Sequence, residues 1–252
     1  MNEQDKDRSG DPNIGDRFQQ ETKYTPEKLA GHTLDWSRVP EPYKNHPAAG
    51  RRVELPPVRF DKGSPVWDVL ASRRSVRRYA VSKTMALDEL GLLLWATQGI
   101  TASTSRFEFR SAPSAGGLYP IETYLEIKDV GTLEPGIYHF RPHRFDLECI
   151  QTGNLGIALA RAALGQDMVA DAQVCFIWTA VVERSKWKYR QRAYRYIYMD
   201  AGHIAQNLYL AATALGLGVC SIGAFYDDRV NALLGLDGIR ETTVYLASVG
   251  CL

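Results

Sequence analysis

VCFIWTAVV, at residues 174–182, is a nearly continuous apolar stretch in which Thr179 is the one polar side chain. Short apolar runs rich in β-branched residues are typical of strands that are buried on both faces. We therefore predict a central strand here, and the segments around it indicate what kind of sheet it belongs to.

Five further strands are predicted around this run, because apolar residues alternate with polar ones or form short runs between turn residues. They cover residues 121–127, 136–140, 145–150, 219–225 and 242–249. The first of them alternates as a half-buried strand does. The second and third flank Pro142 and His143, which predicts a pair of adjacent strands.

Helices are predicted where apolar residues recur at helical spacing. They cover residues 87–100, 155–164, 194–215 and 228–234, of which the third is the longest and would be ended by Gly216. Antiparallel strands mixed with helices, without repeated strand–helix–strand alternation, favour an α+β layer fold over a doubly wound one.

Composition narrows the class of protein. The chain has 252 residues, 45% of them apolar, and a formal net charge of +1, so no overall field favours nucleic acid or an anionic membrane. Its cysteines are scattered without metal-ligand spacing and are expected to be reduced and buried; they are Cys149, Cys175, Cys220 and Cys251. Residues 1–10 are polar, unlike a signal peptide, and no run is long enough for a membrane span, which predicts a cytoplasmic protein.

Two regions are predicted along the chain. Residues 1–58 are rich in charged residues, Pro and Gly, and we expect an extended N-terminal arm rather than a domain. Its scattered aromatic residues indicate that it lies on a folded surface, either its own or that of a partner subunit. Residues 59–252 would form the folded domain.

The segment SRRSVRRY, at residues 72–79, concentrates four arginines and two serines. Guanidinium groups form bidentate hydrogen bonds with phosphate oxygens, and serine adds a hydroxyl donor, so the segment could bind a phosphate. A solvated basic turn would have the same composition, so this segment alone leaves both possibilities open.

Two other segments carry small residues next to predicted strands. SAPSAGGLYP, at residues 111–120, directly precedes a strand, and GLGVCSIGAF, at residues 216–225, joins a helix end to another strand. Small residues let backbone amides approach a flat ligand closely. The alternatives are a tight connection in the first case and ordinary helix capping in the second.

Together and in this order, the three segments resemble the nitroreductase superfamily of flavin enzymes, and most closely its SagB-type branch, the thiazoline/oxazoline dehydrogenases. The resemblance covers about residues 60–250 and includes GIYHF at 136–140 and DAGHIAQNL at 200–208. Even ETKY, at 21–24 in the arm, is similar to that branch's opening. The resemblance implies a nitroreductase-like FMN-binding fold, with a central, mostly antiparallel sheet flanked by helices.

What the resemblance implies for the site is an FMN-binding set of three parts. The family's phosphate ligands match Arg73 and Ser75, with Arg74 beside them, and Arg77 matches the basic residue at the pyrimidine edge of the flavin. The loop along the ring matches Pro113, Ser114, Ala115 and Gly117, although many relatives carry Asn at the last position. The turn that reaches the hydride-accepting nitrogen matches Ile222, Gly223 and Ala224. Many nitroreductases also place basic phosphate ligands after the last strand, where this sequence ends two residues past Gly250, so a further arginine is expected to contribute.

In the SagB-type branch a Lys-Tyr pair is associated with catalysis, and Lys188-Tyr189 matches it. Converting an azoline to an azole requires removal of a proton as well as a hydride, and a lysine could take the proton. Neighbouring cations, Arg184, Lys186, Arg190 and Arg192, would favour the uncharged amine. The alternative is that these residues form a solvated basic face.

The resemblance therefore implies a homodimer with FMN at the subunit interface, oxidising azoline rings in a peptide or small-molecule substrate and passing electrons to oxygen. No nucleic acid, membrane or metal is expected to take part. One alternative is an NAD(P)H-dependent nitroreductase or quinone reductase. Another is a non-catalytic flavin-binding subunit of a modification complex.

Overall fold

The computed structural model describes residues 13–46, 49–104 and 107–252. Residues 1–10, on which the expectation about a signal peptide depends, lie outside the described residues. The main sheet has seven strands in the order β1-β6-β5-β4-β7-β9-β8, and every ladder in it is antiparallel. Its strands are β1 (Arg52–Glu54), β4 (Ile121–Ile127), β5 (Gly136–Arg141), β6 (Asp146–Thr152), β7 (Val174–Val181), β8 (Leu217–Ile222) and β9 (Glu241–Cys251). A separate hairpin joins β2 (Ile100–Ser103) to β3 (Glu108–Arg110).

The apolar run at 174–182 forms a central strand as predicted, β7, except that Val182 already begins the helix that follows. β7 pairs with β4 on one side and β9 on the other, and all of it is buried except Val181, which is half-buried. The prediction that β4 is half-buried is wrong, because all seven of its residues are buried. Leu125 belongs to the apolar core on one face of the sheet and Tyr124 to the core on the other.

Helices cover both faces of this sheet, which confirms the α+β class. Those of the described residues are α1 (Ile14–Glu21), α2 (Pro26–Leu29), α3 (Val66–Ser72), α4 (Leu87–Gln98), α5 (Gly156–Ala162), α6 (Asp167–Asp171), α7 (Val182–Tyr189), α8 (Ala193–Ala214) and α9 (Asp227–Leu233). α8 is the long helix that the sequence predicts, and it buries Ile204, Leu208 and Ala212 in the core that it shares with α4. Gly216 follows it with a φ of 72°, the left-handed conformation that commonly ends helices.

The N-terminal arm folds back on its own chain. Its α1 and α2 lie beside α7 and α8, where Arg192 Nη1 donates to Thr22 O at 2.8 Å and Arg195 Nε donates to Thr22 Oγ1 at 2.8 Å. Trp36 packs edge-on against Trp187, with 5.3 Å between ring centroids. β1 then pairs with β6 at the edge of the sheet. The domain boundary at residue 58 stays a prediction.

The four cysteines are buried free thiols, as expected. Within the described ranges, no helix combines the length and the apolar character that crossing a membrane requires.

Candidate active site

The arginine-rich turn lies along the edge strand β8. Val76 N donates to Val219 O at 2.9 Å, which holds the turn against the strand. Tyr209 of α8 connects the two: its hydroxyl accepts a hydrogen bond from Ser221 N at 2.9 Å and lies 2.9 Å from Ser75 Oγ. The guanidinium of Arg73 stacks over the ring of Tyr209, 5.2 Å from its centroid. The structure therefore brings the first and third segments of the predicted site together, as the phosphate-side cluster (residues 73–77, Tyr209 and 221–224).

The donors of this cluster fit a phosphate. None of the turn's four arginines forms an ion pair with a carboxylate of the described residues; they are Arg73, Arg74, Arg77 and Arg78. Arg74 differs from the others because its Nη1 donates to two backbone carbonyls, those of Ala71 and Arg73. Ser221 Oγ is buried and has no hydrogen-bond partner in the described part of the chain. An unpaired positive charge beside an unsatisfied hydroxyl is what an anion-binding site offers before its ligand arrives.

The turn at residues 222–224 completes this cluster. Ile222 is buried and fixes the end of β8, whereas Gly223 and Ala224 are exposed. Ala224 O accepts a hydrogen bond from Gln166 Nε2 at 3.1 Å, which holds the turn from the far side. The backbone of Gly223 is thus accessible to a ligand.

The loop at residues 113–117 is held by Asp200 of α8. Ser114 Oγ donates to Asp200 Oδ2 at 2.6 Å and Ala115 N donates to Asp200 Oδ1 at 3.2 Å. Burial raises the pKa of Asp200, and these two hydrogen bonds oppose that shift. Gly116 and Gly117 follow with φ of 67° and 66°. Pro113 and Gly117 are exposed at the rim of the loop, so its outer face is open to a flat ligand.

Lys188 and Tyr189, at the end of α7, lie against this loop. A Cβ placed on Gly116 would overlap Tyr189 Oη and would lie 2.9 Å from Lys188 Nζ. The Lys188 ammonium lies 5.5 Å from the ring centroid of Tyr189. Burial raises the pKa of Tyr189, so its hydroxyl stays protonated at neutral pH and can donate a hydrogen bond. These residues with the loop form the loop-side cluster (113–117, Lys188, Tyr189 and Asp200).

The start of α7 is anchored in the core by Arg184. This side chain is 4% exposed, and its Nη1 lies 2.5 Å from Glu122 Oε1 and 3.3 Å from Tyr119 O. The Glu122 carboxylate therefore offsets the charge of Arg184, and the effect of Arg184 on Lys188 stays a prediction. Lys186, another cation of this helix, has an acidic neighbour of its own: its Nζ lies 4.0 Å from Glu183 Oε2.

α8 connects the two clusters. Asp200 and Tyr209 are nine positions apart, which corresponds to about 13–14 Å along a helix axis. No hydrogen bond of the described residues joins the two clusters directly, so the chain presents the predicted site in two parts. Sequence reasoning missed Asp200 and Tyr209 as functional residues, although a buried acid within a mostly apolar helix was an available signal for Asp200.

Comparisons with known proteins show the family to which this chain is similar. The model of the nitroreductase family matches residues 70–251. A protein of Methanocaldococcus jannaschii named as a nitroreductase is 40% identical over 198 residues, which cover 79% of this chain and 95% of that protein. The trifolitoxin-processing protein TfxB of Rhizobium leguminosarum is 34% identical over 140 residues, 54% of this chain and 38% of its own length.

Two solved structures have the same fold. A nitroreductase-type protein from Anabaena variabilis matches with a TM-score of 0.75 and 29% identity, over 92% of this chain and 45% of that chain. A nitroreductase-type protein from Desulfovibrio desulfuricans, solved in complex with FMN, matches with a TM-score of 0.53 and 22% identity, over 74% of this chain and 86% of that chain.

Proposed function

The chain belongs to the nitroreductase family of oxidoreductases, and we propose that it is an FMN-dependent dehydrogenase of the SagB-type branch that oxidises thiazoline or oxazoline rings to azoles in a peptide or peptide-like substrate. The observation that carries this proposal is the contact of Lys188 and Tyr189 with Gly116 in the loop-side cluster. A base and a hydroxyl donor beside the loop expected to lie along a flavin are what azoline oxidation requires. The similarity to a trifolitoxin-processing protein supports a substrate of that kind.

The residues present fit FMN in both parts of the site. Arg73 and Ser75 would bind the phosphate with Arg74 beside them, and Arg77 would stabilise negative charge at the pyrimidine edge of the ring. Residues 113–117 would lie along the ring, and the backbone at 222–224 would contact its central part. When bound, FMN supplies the hydride acceptor and the route by which electrons pass to molecular oxygen.

The protein's own contribution to the reaction is the proton. Oxidising an azoline breaks two C–H bonds on adjacent ring atoms: one hydrogen leaves as a hydride to the cofactor and the other as a proton. Lys188 Nζ, in its uncharged form, takes that proton, and Tyr189 donates a hydrogen bond that orients the ring. Asp200 keeps the loop in place beneath them through Ser114 and Ala115.

A homodimer would bring the two parts of the site together. The N-terminal half of α8 exposes Tyr198 and Met199 by 57% and 56%, and Gly202 on the same face has no atom within 4 Å of where a Cβ would lie. An exposed apolar face on the longest helix, with a glycine that permits close approach, fits a second copy of the chain. We propose that FMN binds where the two copies meet.

The test begins with an absorbance spectrum of the purified protein, which should show bound flavin. Lys188→Ala should retain FMN and lose azole formation by at least about a hundredfold, measured by mass spectrometry as loss of two hydrogen atoms from a thiazoline-containing peptide. Lys186→Ala, which removes a cation from the same helix, is the matched control and should keep full activity. Unchanged turnover in Lys188→Ala would eliminate the assigned base.

The nitroreductase alternative is favoured by the relative from Methanocaldococcus jannaschii. Hydride transfer from NAD(P)H through a flavin to a nitro compound needs no lysine base. NAD(P)H-dependent reduction that persists in Lys188→Ala, without azole formation in the wild type, would therefore support it. A flavin-binding protein that turns over no donor or acceptor would support the non-catalytic subunit.

A further inference from the structure

A cavity of about 280 Å³ lies between the N-terminal arm and the segment that runs from the end of α7 to the start of α8. The arm contributes residues 21–24, Lys28, Leu29 and His32, and the other wall is formed by residues 188–192. Lys188, the proposed base, is therefore shared between the loop-side cluster and this second space, which we call the arm cavity.

The arm cavity is strongly positive. Five cations line it, and Glu21 is the one acidic residue among the lining side chains; the cations are Lys23, Lys28, Lys188, Arg190 and Arg192. None of the five forms an ion pair with a carboxylate in the part of the chain that the structure describes.

The hydrogen bonds that these cations do form leave their charge uncompensated. Lys28 Nζ donates to the backbone oxygen of Glu21 at 2.7 Å, and Arg192 donates to the backbone oxygen of Thr22 at 2.8 Å. Lys23 Nζ reaches the side-chain amide oxygen of Gln20. All three acceptors are neutral. Because like charges gathered in a confined space repel one another, an anion bound there would be stabilised by all five.

His32 adds a second, independent observation. Its Nε2 lies 3.0 Å from Lys188 O, and because a carbonyl only accepts, this nitrogen carries the hydrogen. In the neutral ring, Nδ1 is then an acceptor, and it is buried without a partner among the described residues. Because Nδ1 is enclosed, a donor reaches it only if the ring turns toward the arm cavity, and a ligand that carries an N–H would favour that turn.

Arg190 indicates that the chain is held in an unusual shape at this wall. Its φ of 51° and ψ of −136° lie in a region that residues other than glycine rarely adopt. The strain persists directly after Lys188 and Tyr189, and it turns the backbone so that residue 190 lines the arm cavity.

We propose that the arm cavity binds a carboxylate carried by the peptide substrate, with His32 Nδ1 accepting a peptide N–H from the same residue. The inference rests on the proposed function, since it places an acidic residue of the substrate next to the azoline that Lys188 deprotonates. A free phosphate could satisfy the cations through its oxygens and His32 through its P–O–H group. A carboxylate of the substrate is favoured because the arm cavity shares Lys188 with the loop-side cluster.

The test uses two neutral-backbone probes of the same shape, N-acetyl-L-glutamate α-methylamide and N-acetyl-L-glutamine methylamide. Binding to the full-length protein as purified is followed by tryptophan fluorescence, because Trp187 directly precedes Lys188 and packs on Trp36 of the arm. We expect the acidic probe to bind at least about tenfold more tightly than the neutral one, and added salt to weaken it.

Arg190→Gln should weaken binding of the acidic probe about tenfold, because it removes one charge-assisted contact and leaves a shorter, uncharged polar side chain. Lys186→Gln, a cation of α7 that lies outside the arm cavity, is the matched control and should leave binding unchanged. An unchanged thermal midpoint of Arg190→Gln shows that the variant is folded. Equal binding of the two probes, absence of binding, or equal effects of the two substitutions would overturn the inference.

These outcomes are separable from those of the proposed function, because probe binding requires neither turnover nor flavin. Selective binding of the acidic probe by a protein that forms no azole would uphold the carboxylate site and reject the dehydrogenase. Azole formation by a protein that binds the two probes equally would support the dehydrogenase and reject the carboxylate site.

Discussion

Gly116 sets how closely the proposed catalytic pair can approach the loop beneath it. The loop occupies the left-handed region at residues 116 and 117, but the surroundings of the two glycines differ. At Gly116 the space of a side chain is taken by the ends of Lys188 and Tyr189, whereas a Cβ on Gly117 would meet nothing within 4 Å. Gly116 is therefore required both for its left-handed conformation and for the close approach of Lys188 and Tyr189, whereas Gly117 is required only for its left-handed conformation.

This difference gives a paired test. In Gly116→Ala, the new methyl group should displace Lys188 and Tyr189, lowering kcat for azole formation at least tenfold. The free energy of unfolding should fall by about 1–2 kcal/mol, which is the cost of the left-handed conformation for alanine. The displaced atoms add little to this cost, because they are the ends of flexible side chains. Gly117→Asn should retain FMN and fold normally, since Asn tolerates the left-handed conformation. Turnover assays and urea unfolding of both proteins check this, and equal losses in the two variants would contradict it.

At the scale of one element, the start of α5 depends on a buried acid. Glu126 of β4 is fully buried, and its Oε1 accepts a hydrogen bond from Leu155 N at 3.2 Å, just before the helix begins. Its Oε2 has no partner in the described ranges. Burial is the main cause that raises the pKa of Glu126 to about 7. The carboxyl group of Glu126 therefore keeps its proton to a higher pH in the folded protein than in the unfolded chain.

Titration of Glu126 makes the folded protein less stable as the pH rises. The unfolded carboxyl loses its proton near pH 4.5 and the folded one near pH 7, so this group's contribution to stability is complete below pH 4.5 and is lost as the pH rises through 7. Glu126→Gln removes the titration. We expect the variant to gain about 1–2 kcal/mol in free energy of unfolding at pH 8 and nothing at pH 4.5. Urea unfolding at both pH values measures this, and a gain that is the same at both would rule out titration of Glu126 as the cause.

The elements show which parts of the structure the sequence could predict. β7 and α8 were predictable because their apolar residues repeat within one short segment. α7 was not, because Glu183, Lys186 and Lys188 give it a polar sequence, and its anchor is the distant contact between Arg184 and Glu122. The sequence of β4 likewise predicts a half-buried strand, because Glu122 and Glu126 are polar; inside the fold Glu122 pairs with Arg184, and burial favours the neutral form of Glu126.

For the whole molecule, the site motifs could be identified but their arrangement could not. Each motif is continuous in sequence, whereas the groups that position them are far away: Ser114 and Asp200 lie 86 positions apart, and Ser75 and Tyr209 lie 134 apart. The return of the arm to residues 187–195 was equally hidden, because its contacts are scattered hydrogen bonds and one aromatic pair, made by Trp187, Arg192 and Arg195. Such contacts leave no periodic pattern in a sequence.

The division of the site into two clusters leads to the last prediction, which concerns the assembly. If a second copy covers the face of α8 that contains Met199, Met199→Asp would place an unpaired carboxylate in that contact, at a cost of about 3–5 kcal/mol. Light scattering should then show a dimer for the wild type and a monomer for the variant, with flavin lost on dialysis because FMN would bind where the copies meet. Ile14→Asp, which makes the same kind of change at a residue that is 80% exposed on α1, should remain dimeric and yellow. A monomeric wild type, or a Met199→Asp protein that stays dimeric and keeps its flavin, would mean that one subunit binds FMN without help from this face.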